Sequence, residues 1–333
     1  MKHDVIQLNT NQNVTLSTYL LEPSHEMSNA KVRPAVVIFP GGGYRMVSDR
    51  EAEPVAMAFL NQGYHAFVLR YSIRENAAFP KPLNDAEDAL ELVRANAIKW
   101  GVDPGKIAVC GFSAGGHLAA ALGTMGRVRP NLLILGYATV LERAIGNTTS
   151  HVPSLVELVD QHTPPAFIFA TANDSLVPVE NSLKFAAALD KAKVPFELHV
   201  FQEGMHGLSL AKDHTANGNP GMINPAVATW MGLCLTWLEN HFGLFPLDND
   251  LKDMPEVSTA QEYSIDVPLK VCWTNPQAKQ VILAAIPGLE NSPDLHIALS
   301  LSLRGINLYA KTLNQDQLTE IDRTLKEIPY DGI

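Results

Sequence analysis

Five short apolar runs punctuate the chain up to residue 170: 35–39 (AVVIF), 65–69 (HAFVL), 107–110 (IAVC), 132–135 (LLIL) and 166–170 (AFIFA). They are continuously apolar instead of alternating, which is the pattern of central parallel strands covered on both faces. Helical periodicity fills the gaps between them. Residues Ala86, Ala89, Leu90, Val93 and Ala97 share one helical face, with Asn84 and Glu87 read as the N-terminal cap and Gly101 as the stop. Strands alternating with helices of this length predict a doubly wound, mostly parallel α/β sheet. Ahead of it, residues 5–8 and 14–21 predict a hairpin around Asn11-Gln12-Asn13, and residues 196–201 predict a last strand.

From Tyr137 to Pro165 no clear strand is legible; residues 154–159 read as a short helix, and the insertion reads as part of a lid or as a plain surface excursion. A helix from Ala226 to His241 ends at Gly243, and 246–250 (PLDND) reads as a linker. The expected division is therefore a main domain over 1–245 and a small helical domain over 246–333. Three helices are predicted in the latter. One starts at Asn275-Pro276. A second starts at Ser292-Pro293 and carries Leu295, Leu299 and Leu303 on an almost wholly apolar surface. A third is capped by Asn314 with Gln317. No cluster of His, Cys or carboxylates in this region points to chemistry.

Composition narrows the class of function. Hydrophobic residues make up 46% of 333, enough for a large core, and a net charge of −10 leaves no basic surface for nucleic acid or anionic membrane. Cys110, Cys234 and Cys272 are odd in number and widely spaced, so buried thiols are expected before a disulfide. The N-terminal Met1-Lys2-His3-Asp4 has no apolar core of a leader segment, and a cytoplasmic location is the expectation.

Candidate chemistry centres on Gly111-Phe112-Ser113-Ala114-Gly115, where a serine between glycines joins an apolar strand to a helix. Such a corner holds the hydroxyl up from the sheet in a strained backbone conformation. Serine needs an imidazole base, and the imidazole needs a carboxylate to fix its tautomer. Asp174 follows the run 166–170 on a loop ending a predicted parallel strand, and His206 lies in Gly204-Met205-His206-Gly207 after the last strand. His214 is the fallback base, whereas His117 and His199 are read as packing or surface residues. Pro40-Gly41-Gly42-Gly43-Tyr44 follows the first core strand, where inward-turned N–H groups receive an oxyanion; Gly42, Gly43 and Ala114 are the expected donors.

Together these motifs resemble an α/β-hydrolase of the bacterial acetyl esterase and lipase type, related to acetylxylan esterases, over about residues 5–243. Trp100-Gly101-Val102-Asp103-Pro104 leading into Gly111 to His117 adds to the likeness. The resemblance implies hydrolysis of short-chain carboxylic esters, often acetyl groups on sugars, without metal or organic cofactor. It implies Ser113 as nucleophile, His206 as base and acid, and Asp174 as the orienting carboxylate. Where the lipase branch has a histidine before its three glycines, this chain has Pro40. The expected partner is a small-molecule or oligosaccharide ester, with homo-oligomerisation left open. The alternatives are a prolyl oligopeptidase-type peptidase and a non-catalytic binding protein on the same fold.

Overall fold

The computed structural model describes residues 1–24, 26–144, 151–246 and 261–330. The strands are β1 (Lys2–Gln7), β2 (Thr15–Leu20), β3 (Arg33–Phe39), β4 (His65–Arg70), β5 (Val102–Phe112), β6 (Leu132–Gly136), β7 (Arg143–Ala144), β8 (His151–Val152), β9 (Ala166–Thr171) and β10 (Phe196–Phe201). The helices of the first part are α1 (Glu53–Leu60), α2 (Lys81–Ala95), α3 (Ala97–Trp100), α4 (Ala114–Met125), α5 (Glu180–Ala192), α6 (Pro225–Ala228) and α7 (Trp230–Phe242). Eight strands form one sheet in the order β1-β2-β4-β3-β5-β6-β9-β10. The N-terminal hairpin β1-β2 joins β4 antiparallel, and every pairing from β4 across to β10 is parallel.

Two apolar layers cover this sheet. On one face Val37, Phe67, Val109 and Leu135 pack with α2 and α4 through Leu90, Val93, Leu118 and Leu122. On the other, Ile38, Val68, Cys110 and Phe169 pack with α1 and α7 through Val55, Phe59, Trp230 and Leu238. Successive strand residues thus feed opposite layers, which is why the central strands contain no polar alternation. Trp230 stacks on Phe169 with ring centroids 4.5 Å apart and donates its indole N–H to Ser209 O, so its one polar atom is satisfied inside the core.

α2 begins earlier than its periodicity predicts. Pro82 lies in the first turn, where its missing N–H costs nothing, so the helix starts at Lys81 and places Asn84 and Glu87 inside it. Glu87 instead accepts from the Arg127 backbone N–H at 2.7 Å and pairs with the Arg127 guanidinium. Gly101 does end the following turn, in the left-handed conformation with φ 67°. In the insertion after β6, the expected helix is a single 3₁₀ turn, Val156–Leu158. The predicted helix before Gly243 is two pieces, α6 and α7.

The chain divides into two compact units, one formed by Met1–Ser24 with Asn29–Phe245 and the other by His25–Ser28 with Pro246–Ile333. Of the linker read at 246–250, all but Pro246 lies outside the described residues. The second unit carries α8 (Leu269–Trp273), α9 (Pro276–Ala285), α10 (Leu295–Ala298), α11 (Leu303–Ala310) and α12 (Gln315–Lys326). Its own core includes Tyr263, Leu269, Ile282, Leu303, Leu318 and Leu325. Asn275 caps α9, and Asn314 with Gln317 forms a full capping box on α12, both as the sequence predicts. The apolar middle helix is instead split into α10 and α11. Ser300 turns its hydroxyl back to Ile297 O, and Ser302 caps the Gly305 N–H, so local side-chain bonds displace the continuous helix. Ile297 and Leu301 are left exposed.

Candidate active site

The residues singled out in the first unit meet at the C-terminal ends of its parallel strands, where open α/β sheets place their sites. Ser113 follows β5 directly and caps α4, with φ 52° and ψ −117°. Its strained backbone is held from three sides: its N–H donates to Gly136 O, and its carbonyl accepts from His117 N–H and Thr139 N–H. A corner this tight needs glycine at Gly115, where a Cβ would stand 2.0 Å from Phe39 O.

Asp174 follows β9 and His206 follows β10. Ser113 Oγ lies 2.8 Å from His206 Nε2, and His206 Nδ1 lies 2.7 Å from Asp174 Oδ2. The other carboxylate oxygen, Oδ1, accepts from Leu176 N–H at 2.8 Å and Val177 N–H at 2.9 Å. Burial pushes the Asp174 carboxyl up, but the hydrogen bond from His206 and those from the two backbone donors outweigh it, and its pKa ends below the usual carboxylate value. Asp174 is thereby kept as the anion. It accepts Nδ1–H and leaves Nε2 bare toward Ser113.

The Pro40–Tyr44 loop is tied down by its carbonyls. Tyr71 OH donates to Pro40 O at 2.6 Å, Ser48 N–H to Gly41 O, Arg45 and Met46 N–H to Gly42 O, and Arg74 N–H to Tyr44 O. In a trans peptide the N–H points opposite to the preceding C=O. Anchoring the carbonyls of Gly41 and Gly42 away from the site therefore turns the N–H groups of Gly42 and Gly43 the other way. Those two groups and Ala114 N–H have no acceptor among the described residues, and all three residues line a cavity of about 550 Å³ that also exposes Ser113 and His206. Gly41 differs: its N–H is taken by Glu51 Oε2 at 2.7 Å.

Two participants, Glu51 and Tyr137, were not read from the sequence. His117, read from the sequence as a packing or surface residue, is fully buried and lines the cavity. Its Nε2–H donates to Pro153 O, leaving Nδ1 to accept from Tyr44 OH at 2.9 Å, and burial lowers its pKa to about 4. It is a neutral wall. Glu51 sits in the polar run 48–51 (SDRE), yet it is buried beneath the glycine loop. Tyr137, at the end of β6, sets its ring edge against His206 with centroids 5.1 Å apart. The fallback base His214 pairs with the exposed Asp213 on a separate turn and is not among the cavity residues. His199 lies in β10 and contacts Glu197. Among the described residues no group of His, Cys, Asp or Glu is placed to hold a metal ion, and no helix is long and apolar enough to cross a membrane. Cys110, Cys234 and Cys272 are all free and buried.

Comparison with known proteins accords with this fold. An alpha/beta hydrolase enzyme from a Medee basin deep-sea metagenome library superposes with a TM-score of 0.69 at 47% identity, over 73% of this chain and 99% of that one. The chain belongs to the α/β-hydrolase family. A second neighbour, an acetyl ester-xyloside bifunctional hydrolase from Caldicellulosiruptor lactoaceticus, matches with a TM-score of 0.61 at 35% identity over 72% and 97% of the two chains. An acetylxylan esterase of Xylanibacter ruminicola is 33% identical over 53% of this chain and 41% of its own length. The chain spans between about a third and a half of the first curated relatives it matches. Within this α/β hydrolase, residues 22–147 match the family described as BD-FAE, and residues 145–217 match the prolyl oligopeptidase family.

Proposed function

We propose that this α/β hydrolase is a serine carboxylesterase that removes short, acetyl-type acyl groups, with acetylated carbohydrates as its substrate class. The observation that carries this reading is the unbroken line from Asp174 through His206 to Ser113, ending in a cavity lined by the three residues expected to supply backbone N–H groups. In the first step Ser113 Oγ attacks the ester carbonyl carbon as His206 Nε2 takes the hydroxyl proton. The carbonyl oxygen becomes an oxyanion received by Gly42, Gly43 and Ala114 N–H. His206 returns the proton to the alcohol oxygen as the C–O bond breaks, leaving the acyl group on Ser113. In the second step His206 takes a proton from water, the resulting hydroxide attacks the acyl carbon, and Ser113 Oγ leaves with that proton. Asp174 stays ionised and stabilises the imidazolium formed in each step.

The carbohydrate assignment is supported by the acetylxylan esterase and acetyl ester-xyloside hydrolase among the relatives. The test is acetate release from a panel of acetylated xylo-oligosaccharides, with Ser113→Ala as control. Cleavage of synthetic esters without cleavage of any acetylated sugar would remove the carbohydrate half of the proposal. A second reading, peptide hydrolysis, is favoured by the prolyl oligopeptidase match over residues 145–217. Peptide anilides in the same panel decide between them: turnover of an anilide above that of aryl acetates would reverse the preference.

A further inference from the structure

Glu51 is 3% exposed, and both of its carboxylate oxygens accept hydrogen bonds from opposite halves of the site. Oε2 takes the Gly41 N–H at 2.7 Å, and Oε1 takes the Tyr137 hydroxyl proton at 2.6 Å. The Tyr137 oxygen in turn accepts from Ser209 N–H at 2.9 Å, three residues beyond His206. The preceding residue repeats the connection: Arg50 Nη1 donates to Gly207 O at 3.0 Å and Thr215 O at 2.9 Å, while Arg50 O accepts from the Ser209 hydroxyl. A two-residue segment therefore holds the glycine loop at one end and the His206 loop at the other.

We propose that Glu51 is a positioning residue that, through Gly41 on one side and Tyr137 on the other, keeps the oxyanion donors in register with His206. This rests on the esterase reading above. A buried carboxylate is costly unless it is fully paired, and an apolar side chain of similar volume commonly serves a core equally well. A carboxylate does what an apolar group cannot, because it accepts from two donors at once and fixes both. Gly41 is built to this contact, since a Cβ there would stand 2.7 Å from Glu51 Oε2 and 3.0 Å from Ser113 Cβ. With the Gly41 N–H and C=O both committed, the peptide carrying the Gly42 N–H has one orientation. Glu51 supplies support for the loop from beneath.

The experiment compares Glu51→Ala, Glu51→Gln and Tyr137→Phe with wild type on 4-nitrophenyl acetate, together with hydrogen–deuterium exchange of the backbone. Oxyanion donors act on the transition state, so kcat should fall about 100-fold in Glu51→Ala with KM changed by less than about threefold. Glutamine keeps an acceptor for Gly41 and should recover all but about tenfold. Exchange should rise in 40–48 and in 204–211 in Glu51→Ala. Where Glu51→Ala fails to fold, Tyr137→Phe carries the test, with a kcat loss of about tenfold and faster exchange in 204–211. The proposal is overturned if kcat is retained, if KM rises in its place, or if glutamine recovers nothing over alanine. A wild type without esterase activity would sink the function while leaving exchange to judge Glu51: unchanged exchange in both segments would then overturn the positioning role as well.

Discussion

Replacing Asp174 by asparagine isolates the tautomer argument from the rest of the site. Asp174 Oδ1 already accepts from two backbone N–H groups, at 2.8 and 2.9 Å, so an asparagine would keep its carbonyl oxygen there. Its NH2 group must then face His206 Nδ1, which in wild type lies 2.7 Å from Oδ2. A donor at that position requires Nδ1 to be the acceptor, moves the ring proton to Nε2, and points it at Ser113 Oγ, 2.8 Å away. His206 could then no longer take the serine proton. The shape of the side chain and its two backbone bonds survive, so folding should change little. A wrong tautomer in such a site costs about 10⁴ in kcat, or roughly 5 kcal/mol of transition-state stabilisation. Steady-state hydrolysis of 4-nitrophenyl acetate by Asp174→Asn measures this, with circular dichroism as the fold control. A folded variant retaining more than a tenth of wild-type kcat would refute the reasoning.

Two further predictions concern stability. Gly115→Ala would set a Cβ against two backbone carbonyls, 2.0 Å from Phe39 O and 2.5 Å from Pro40 O, with no side-chain end able to yield. A loss of about 3 kcal/mol or more, read as a fall in Tm of roughly 10 °C, is expected by thermal denaturation; an unchanged Tm would contradict the close approach of strand and helix. His65 and His117 are both buried, and burial lowers each pKa from 6.5 to about 4. Below pH 6.5 the unfolded chain takes up protons that the folded chain refuses, so stability falls as pH drops from 6.5 toward 4. Each residue should cost about 2 kcal/mol by pH 5 relative to neutral pH. Urea unfolding between pH 7 and pH 5 tests this, and a flat profile would argue against two buried neutral imidazoles.

Much of the site was legible because its chemistry is carried by local pattern. A serine between glycines after an apolar run, three glycines after another, and a carboxylate and a histidine after two more strands each announce a loop at a strand end. Parallel pairing then brings those ends to one edge of the sheet without further information. Glu51 and Tyr137 were not legible, since each is defined by contacts between segments distant in sequence: the Glu51 to Tyr137 bond spans 86 residues. Burial reversed the polar look of Glu51, and no periodicity in 48–51 marks it. The misjudged helix limits have the same origin at shorter range. Pro82 fits the first turn of α2 and admits an earlier start than the Asn84 to Glu87 spacing implies, while Ser302 caps α11 where apolar periodicity ran on unbroken.

The claim that Ser113 is the attacking nucleophile is tested most directly by intact-protein and peptide mass spectrometry after incubation with a fluorophosphonate. A single adduct is expected on Ser113 in the folded protein, absent from Ser113→Ala and slowed in His206→Ala. Folded wild-type protein that gains no adduct at Ser113, or a Ser113→Ala variant that hydrolyses esters at the wild-type rate, would contradict it.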